Sequence, residues 1–253
     1  MSDLLNLRSV SKHFGGVHAV NDCSFAVEQG SFVGLIGPNG AGKSTVFNLV
    51  SGLFGPDGGE ILFKGENLAG RSPEHIARLG IGRTFQTPRA FTTLDVLENV
   101  LASDWSPGER LGTALSGRWK EKERGSLERC HALLRFVGLG DKATDSCDQL
   151  SGGELRMLEV ARQLVRDPEI LLLDEPTAGV SPHLQEHLAT LLRRINSQGV
   201  TLVVVEHNLA FLLALAEHVV VMANGSVLTE GTPEDVRRNP EVIEAYLGRG
   251  HAA

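Results

Sequence analysis

Apolar and polar residues alternate over the first ~30 positions, with Leu5 and Leu7, then Cys23, Phe25 and Val27, on the apolar beat. That period of two predicts half-buried β-strands. The run Phe32–Ile36 is apolar and predicts a buried strand feeding directly into a glycine-rich turn. Further buried-strand runs follow at Ile81–Phe85, Ile170–Asp174 and Val200–Val205, and a last pair, Val219–Met222 and Val227–Thr229, flanks the hairpin dipeptide Asn224-Gly225. Helix punctuation lies between the runs. Ser72-Pro73 opens a helix that Gly80 closes, Ser181-Pro182 opens one that Gly199 closes, and Thr232-Pro233 and Asn239-Pro240 open two more.

Strands alternating with helices predict an α/β fold with a parallel sheet. Residues 88–165 break that rhythm and read as mostly helical, with Leu133, Leu134, Phe136 and Val137 on one apolar stripe. Within them, Ser103–Ser126 is polar and glycine-rich and predicts a long surface loop. The expected architecture is an α/β core with an inserted helical lobe.

Composition adds exclusions. Hydrophobic residues make up 42% and charged residues 22%, ordinary for a soluble globular chain, and 24 basic against 31 acidic residues give a net charge of −7. No overall basic footprint invites nucleic acid. No apolar stretch reaches the ~18–20 residues that cross a bilayer, and MSDLLNLRSV lacks the basic-then-apolar pattern of a secretory signal. Cys23, Cys130 and Cys147 are far apart with no CxxC pair, and read as reduced thiols.

Residues 37–45, Gly37-Pro38-Asn39-Gly40-Ala41-Gly42-Lys43-Ser44-Thr45, fit G-x-x-x-x-G-K-[ST] between an apolar strand and an apolar helix carrying Val46, Phe47, Leu49 and Val50. Glycines let backbone N–H groups converge on phosphate oxygens, and the helix start adds positive partial charge. Lys43 is a point charge for β- and γ-phosphates, and Ser44 a hydroxyl for Mg²⁺.

Ile170-Leu-Leu-Leu-Asp174-Glu175 delivers carboxylates to the C-terminal edge of a buried strand, where α/β sheets bind ligands. Asp174 is expected to reach Mg²⁺ through water, and Glu175, one step on, to orient and deprotonate the attacking water. Leu150-Ser151-Gly152-Gly153-Glu154 spells a helix capping box, while its two glycines also suit close backbone approach to an anion. His183-Leu-Gln-Glu-His187 fits a zinc-protease pattern, but just past a helix start it reads as a solvated helix face.

The phosphate loop, Leu-Ser-Gly-Gly-Glu and, some twenty residues later, Leu-Leu-Leu-Asp-Glu-Pro resemble the ATP-binding subunit of ABC transporters over essentially the whole chain. The resemblance implies a P-loop NTPase (RecA-like) core with a small antiparallel β subdomain, formed by residues 1–87 and 166–253, and a helical subdomain at 88–165. It implies ATP and Mg²⁺ as ligands. It assigns Gln86, in Arg-Thr-Phe-Gln, to sensing Mg²⁺ and the γ-phosphate and to contact with the membrane partner, His207 to closing on the γ-phosphate, and Phe14 to stacking on adenine. It also implies a head-to-tail dimer in which Ser151–Glu154 of one subunit completes the partner's site. The family's more common glutamine is Glu154 here, and Ser181 stands where many members carry aspartate.

Gly80–Phe91 and the ending Val242-Ile-Glu-Ala-Tyr-Leu-Gly248 resemble the branched-chain amino acid importers, with urea or amide importers and lipopolysaccharide-export ATPases as near relatives. The implied partners are integral-membrane permease subunits, a second ATP-binding subunit, identical or not, and, indirectly, an extracytoplasmic solute-binding protein. The implied location is the cytoplasmic face of the cell membrane. The competing class, a soluble ATPase of the family acting on nucleic acid or ribosomes, usually carries tandem cassettes, zinc clusters or basic arms, none visible here.

Overall fold

The opening alternation becomes two antiparallel strands, β1 (Asp3–Phe14) and β2 (Val17–Glu28). In the computed structural model, which describes residues 3–87, 90–104 and 119–247, their inward side chains Leu5, Leu7, Val10, Cys23, Phe25 and Val27 are all buried. With β4 (Gly58–Phe63) and β5 (Glu66–Asn67) they form a four-stranded antiparallel sheet ordered β2-β1-β4-β5.

The second sheet has six strands ordered β10-β9-β3-β8-β7-β6. It comprises β3 (Phe32–Ile36), β6 (Ile81–Arg83), β7 (Ile170–Asp174), β8 (Thr201–Val205), β9 (His218–Ala223) and β10 (Ser226–Gly231). Strands β9 to β6 run parallel, and β10 returns antiparallel through Asn224-Gly225, both at positive φ (50° and 84°), as a tight hairpin requires. Every residue of β3, β7 and β8 is buried, as continuous apolar runs in a sheet covered on both faces should be.

The α-helices among the described residues are α1 (Lys43–Val50), α2 (Pro73–Arg78), α3 (Val96–Leu101), α4 (Trp119–Val137), α5 (Gly152–Leu164), α6 (Pro182–Ser197), α7 (Leu209–Leu213), α8 (Pro233–Arg238) and α9 (Pro240–Leu247). Ser72 and Thr232 cap α2 and α8 with their hydroxyls, and a proline occupies the first turn in each case. Among the described residues no helix is long and apolar enough to cross a membrane.

The chain divides into two units. The first holds the described residues of Met1–Arg83, Glu169–Thr177 and Leu192–Ala253, and so both sheets. Its core is one buried cluster in which Leu7, Phe25 and Ile61 of the antiparallel sheet join Phe47 of α1 and Val33, Leu35 and Val203 of the larger sheet. The second unit holds Thr84–Pro168 and Ala178–Leu191. Its core comes from Val96 and Val100 of α3, Cys130, Leu134 and Val137 of α4, and Leu158 and Ala161 of α5. The α/β core, antiparallel sheet and inserted helices are those the motifs implied.

Two local expectations need correction. The strand expected over Ile81–Phe85 ends at Arg83, because the Phe85 amide donates to Glu159 Oε1 (2.8 Å) and the Phe85 carbonyl accepts from Arg156 Nη1 (2.6 Å), side-chain partners that replace a strand ladder. The surface loop expected over Ser103–Ser126 gives way to helix from Trp119 onward. Its Lys, Glu and Arg residues are good helix formers, and α4 sends Cys130, Leu134 and Val137 inward at i, i+4, i+7. Residues 105–118 of that expectation lie outside the described residues. At the loop's start, Ser103 is buried, with its hydroxyl donated to the Asn99 carbonyl. The three cysteines are free and buried.

Candidate functional site

Parallel register builds one edge of the site. Leu35 of β3 and Asp174 of β7 both pair with Val205 of β8, so three adjacent strands end level. The segments leaving them begin Gly37, Glu175 and Glu206. This is the carboxyl edge of an α/β sheet, where ligands bind.

The loop Gly37–Gly42 turns sharply into α1. Gly42 sits at φ 99°, where an added Cβ would press into the Ala19 carbonyl oxygen, so only glycine fits. Asn39 and Gly40 are exposed at the loop's tip, and Ser44 is exposed and Thr45 half-buried in the first turn of α1. Lys43 is buried, its ammonium donating to the carbonyls of Gly37 (2.7 Å) and Pro38 (3.1 Å). Burial lowers its pKa, while the nearby charges of Glu175 and Asp174 push it back up. The result is a buried cation held by loop carbonyls at a helix start, where free backbone N–H groups favour an anion. From the other end of the chain, Tyr246 on α9 hydrogen-bonds through its hydroxyl to the Gly37 backbone, and burial raises the phenol's pKa.

Asp174 is buried at the tip of β7 and faces Arg83 at the end of β6, with Nη2 3.6 Å from Oδ2 and both side chains less than a tenth exposed. Arg83 also donates from Nη1 to Asn48 Oδ1 (2.8 Å) and Ser51 Oγ (2.7 Å) of the helix that follows the phosphate loop. The guanidinium thus ties β6, β7 and the end of α1 together.

Glu175 adopts φ 48°, a left-handed conformation unusual for a residue with a side chain. Its amide is held by the Val205 carbonyl (2.9 Å), and its Oε1 lies 2.8 Å from Nε2 of His207, one residue beyond Glu206 at the end of β8. Glu206 is itself buried. Its Oε1 accepts from the Thr177 amide (2.7 Å), and its Oε2 from the amides of His207 (3.1 Å) and Asn208 (3.2 Å).

In the second unit, Ser151 and Glu154 form the expected capping box. The Ser151 amide donates to Glu154 Oε2 (2.8 Å), and the Glu154 amide to Ser151 Oγ (3.4 Å). Lys142 lies 2.8 Å from Glu154 Oε1, and this contact, with the Ser151 amide, pulls the Glu154 carboxyl down to about 2. Gly152 is exposed, whereas Gly153 is buried where a Cβ would meet Leu184 at 2.5 Å, a packing reason for glycine that the motif did not reveal. The Gln86 side chain is exposed, but its carbonyl is held by Arg156, which is buried beside Glu159 (3.1 Å). Burial raises the pKa of Glu159, and the Phe85 amide and Arg156 offset that rise.

Phe14 ends β1 with its ring 43% exposed, too open for a core residue, and Phe54 meets it edge-on at 5.2 Å. His183 and His187 lie on the exposed side of α6, their rings 4.7 Å apart.

The structure therefore brings Lys43, Ser44, Asp174, Glu175 and His207 to one edge of the first unit, with Gln86 and Ser151–Glu154 in the second. Motif reading missed Arg83, Arg156, Glu159, Glu206 and Tyr246. The available signal was a charged residue inside an apolar frame: Arg83 in Ile-Gly-Arg, Glu159 among Met157, Leu158 and Val160, and Glu206 after Thr201–Val205.

A nucleoside triphosphate fits the phosphate cradle, and the groups beside it suit a hard cation. Ser44 and Asp174 offer oxygen donors, the kind a hard divalent cation takes. A small divalent ion held by few protein oxygens and completed by phosphate and water matches Mg²⁺.

Comparison with known proteins gives the following likenesses. Residues 20–178 match the family described as ABC transporter, and residues 226–252 the one described as Branched-chain amino acid ATP-binding cassette transporter. The chain is 41% identical over 245 residues to a probable branched-chain amino acid transport ATP-binding protein LivG of Archaeoglobus fulgidus, covering 97% of this chain and 95% of that protein. It is 37% identical over 249 residues to the high-affinity branched-chain amino acid transport ATP-binding protein LivG of Escherichia coli, covering 97% and 98%. Among solved structures, the ADP conformation of an ATP-binding cassette of an ABC transporter superposes with TM-score 0.86 at 32% identity, covering 98% of this chain and 100% of that one. A dimeric bacterial ABC transporter cassette gives TM-score 0.75 at 26% identity, covering 90% and 98%.

Proposed function

The chain belongs to the ABC transporter family of ATP-binding subunits, and on that premise we propose that it powers uptake of branched-chain amino acids by hydrolysing ATP at the edge where β3, β7 and β8 end. The observation that carries the chemistry is the 2.8 Å contact between Glu175 and His207, beside the buried ammonium of Lys43.

In this reading Phe14 stacks on adenine, and the segment Gly37–Thr45 wraps the phosphates with backbone N–H groups while Lys43 neutralises β- and γ-oxygens. Ser44 and, through water, Asp174 would hold a magnesium ion, which would neutralise charge on the β- and γ-phosphates. Glu175 accepts a proton from water as the water oxygen bonds to the γ-phosphorus. The bond from that phosphorus to the β–γ bridging oxygen breaks, and ADP leaves with the electron pair. With Glu175 ionised, His207 donates from Nε2, which fixes the carboxylate's orientation, and the imidazole stands ready to contact the γ-phosphate. Ser151–Glu154 meets the nucleotide of a second ATP-binding subunit, so that the γ-phosphate joins two subunits and its loss releases them.

The helical segment 88–165 and Gln86 transmit this closure to integral-membrane permease subunits at the cytoplasmic face of the membrane, and a solute-binding protein outside delivers the cargo. The match of residues 226–252 to the branched-chain amino acid cassette family supports that cargo over urea or amides.

The test is recovery of the tagged chain from gently solubilised native membranes. Copurification of two multi-span subunits, and loss of leucine uptake on deletion of the gene, are the expected results. Recovery with ribosomes or nucleic acid, or unchanged leucine uptake, contradicts the proposal.

A further inference from the structure

We propose that Glu206 is a positioning residue for ATP hydrolysis, locking the loop that carries Glu175 to the loop that carries His207. The inference rests on the reading of Glu175 and His207 as the hydrolytic pair.

A carboxylate buried to 3% exposure is costly unless its charge is met by donors. Glu206 is met by three backbone amides on two segments. Oε1 holds Thr177, two residues after Glu175, and Oε2 holds His207 and Asn208. One side chain therefore spans both connections leaving the sheet edge.

That edge needs holding. Glu175 sits at φ 48°, a conformation that is strained for a residue with a Cβ and persists only when its surroundings over-determine it. Two anchors flank the strained residue: its own amide on the Val205 carbonyl, and the Thr177 amide on Glu206. On the opposite loop, the Glu206 carboxylate orients the His207 backbone from which the imidazole reaches Glu175. Without the span, the two loops would keep their strands but lose the registration that sets the 2.8 Å contact.

Glutamine discriminates sharply. It is isosteric but has one acceptor oxygen, and its NH₂ would face a backbone N–H, donor against donor. Glu206→Gln can therefore hold one loop, not both.

The experiment measures steady-state ATPase kinetics, with ATP affinity by calorimetry, for the parent, Glu206→Gln, His207→Ala and the double variant. The proposal expects Glu206→Gln to lower kcat about tenfold or more with ATP affinity changed less than ~3-fold, and to add less than ~2-fold to the loss from His207→Ala. Glu206→Asp, which keeps the charge but is one methylene too short for both loops, should fall in the same direction and serves if the glutamine variant does not fold. Turnover of a folded Glu206 variant within ~2-fold of the parent, or a loss that multiplies fully with that of His207→Ala, overturns the proposal. If Glu175→Gln and His207→Ala themselves leave turnover unchanged, the reading of the pair fails first, and this separates the two failures.

Discussion

Nε2 of His207 stands 2.8 Å from Oε1 of Glu175, and the two residues leave the ends of neighbouring parallel strands paired in register at Asp174 and Val205. The histidine side chain is half exposed, so the pair adds less than about 1 kcal/mol to folding. Its significance lies in the geometry it fixes. His207→Ala should therefore leave the melting temperature nearly unchanged while lowering turnover by ~10²-fold or more. Calorimetry and an ATPase assay on one preparation check this, and a large loss of stability with normal specific activity of the folded fraction would refute it.

Lys43 is buried with its ammonium on the carbonyls of Gly37 and Pro38. Lys43→Ala removes the cation from the phosphate cradle while relieving the burial of a charge, so the fold should survive and ATP binding should not. Isothermal titration with ATP and circular dichroism together test this. Tight binding by a folded variant would remove Lys43 from the phosphate site.

Arg83 and Asp174 form an ion pair at 3.6 Å with little solvent access. Deleting one partner of such a buried pair leaves a charge uncompensated and typically costs about 3–5 kcal/mol. Arg83→Ala should lower unfolding free energy by that order in urea titration. A change below ~1 kcal/mol would mean Asp174 finds its compensation elsewhere.

The Glu154 carboxyl, held by Lys142 and the Ser151 amide, titrates in the folded chain at about 2 against an ordinary 4.5. A depressed folded pKa contributes stability that is fully present above 4.5 and is lost as pH falls toward 2. Glu154→Gln keeps an oxygen for the Ser151 amide but loses Lys142. The parent should exceed the variant by no more than ~1 kcal/mol at neutral pH, since the site is partly solvated, and the gap should close between pH 4.5 and 2. Parallel stability curves across that window would contradict the assignment.

What was legible in the sequence was what is local. Gly37–Thr45 and Ile170–Glu175 each lie within a strand or helix end and the adjoining turn, and Ser151–Glu154 is a cap closed within one helical turn. Each could be read from contiguous residues. Glu206 could not, because its function depends on Thr177, which only the β7–β8 register brings near. Arg83 depends in the same way on Asp174 and Asn48, and Tyr246 on Gly37 at the other end of the chain. Strand ends were blurred for a related reason: Thr84 and Phe85 continue the apolar run after Ile81, but side chains of α5 capture the Phe85 backbone. The segment from Trp119 is polar in a way that suits loop and helix alike, since Lys, Glu and Arg are good helix formers.

The proposed role of Glu175 in ATP hydrolysis, with His207 at its side, is tested by the turnover of Glu175→Gln measured alongside its ATP affinity. Turnover lowered by ~10²-fold or more, with ATP still bound as tightly as by the parent, is the expected result. Turnover near that of the parent, with binding intact, would contradict it.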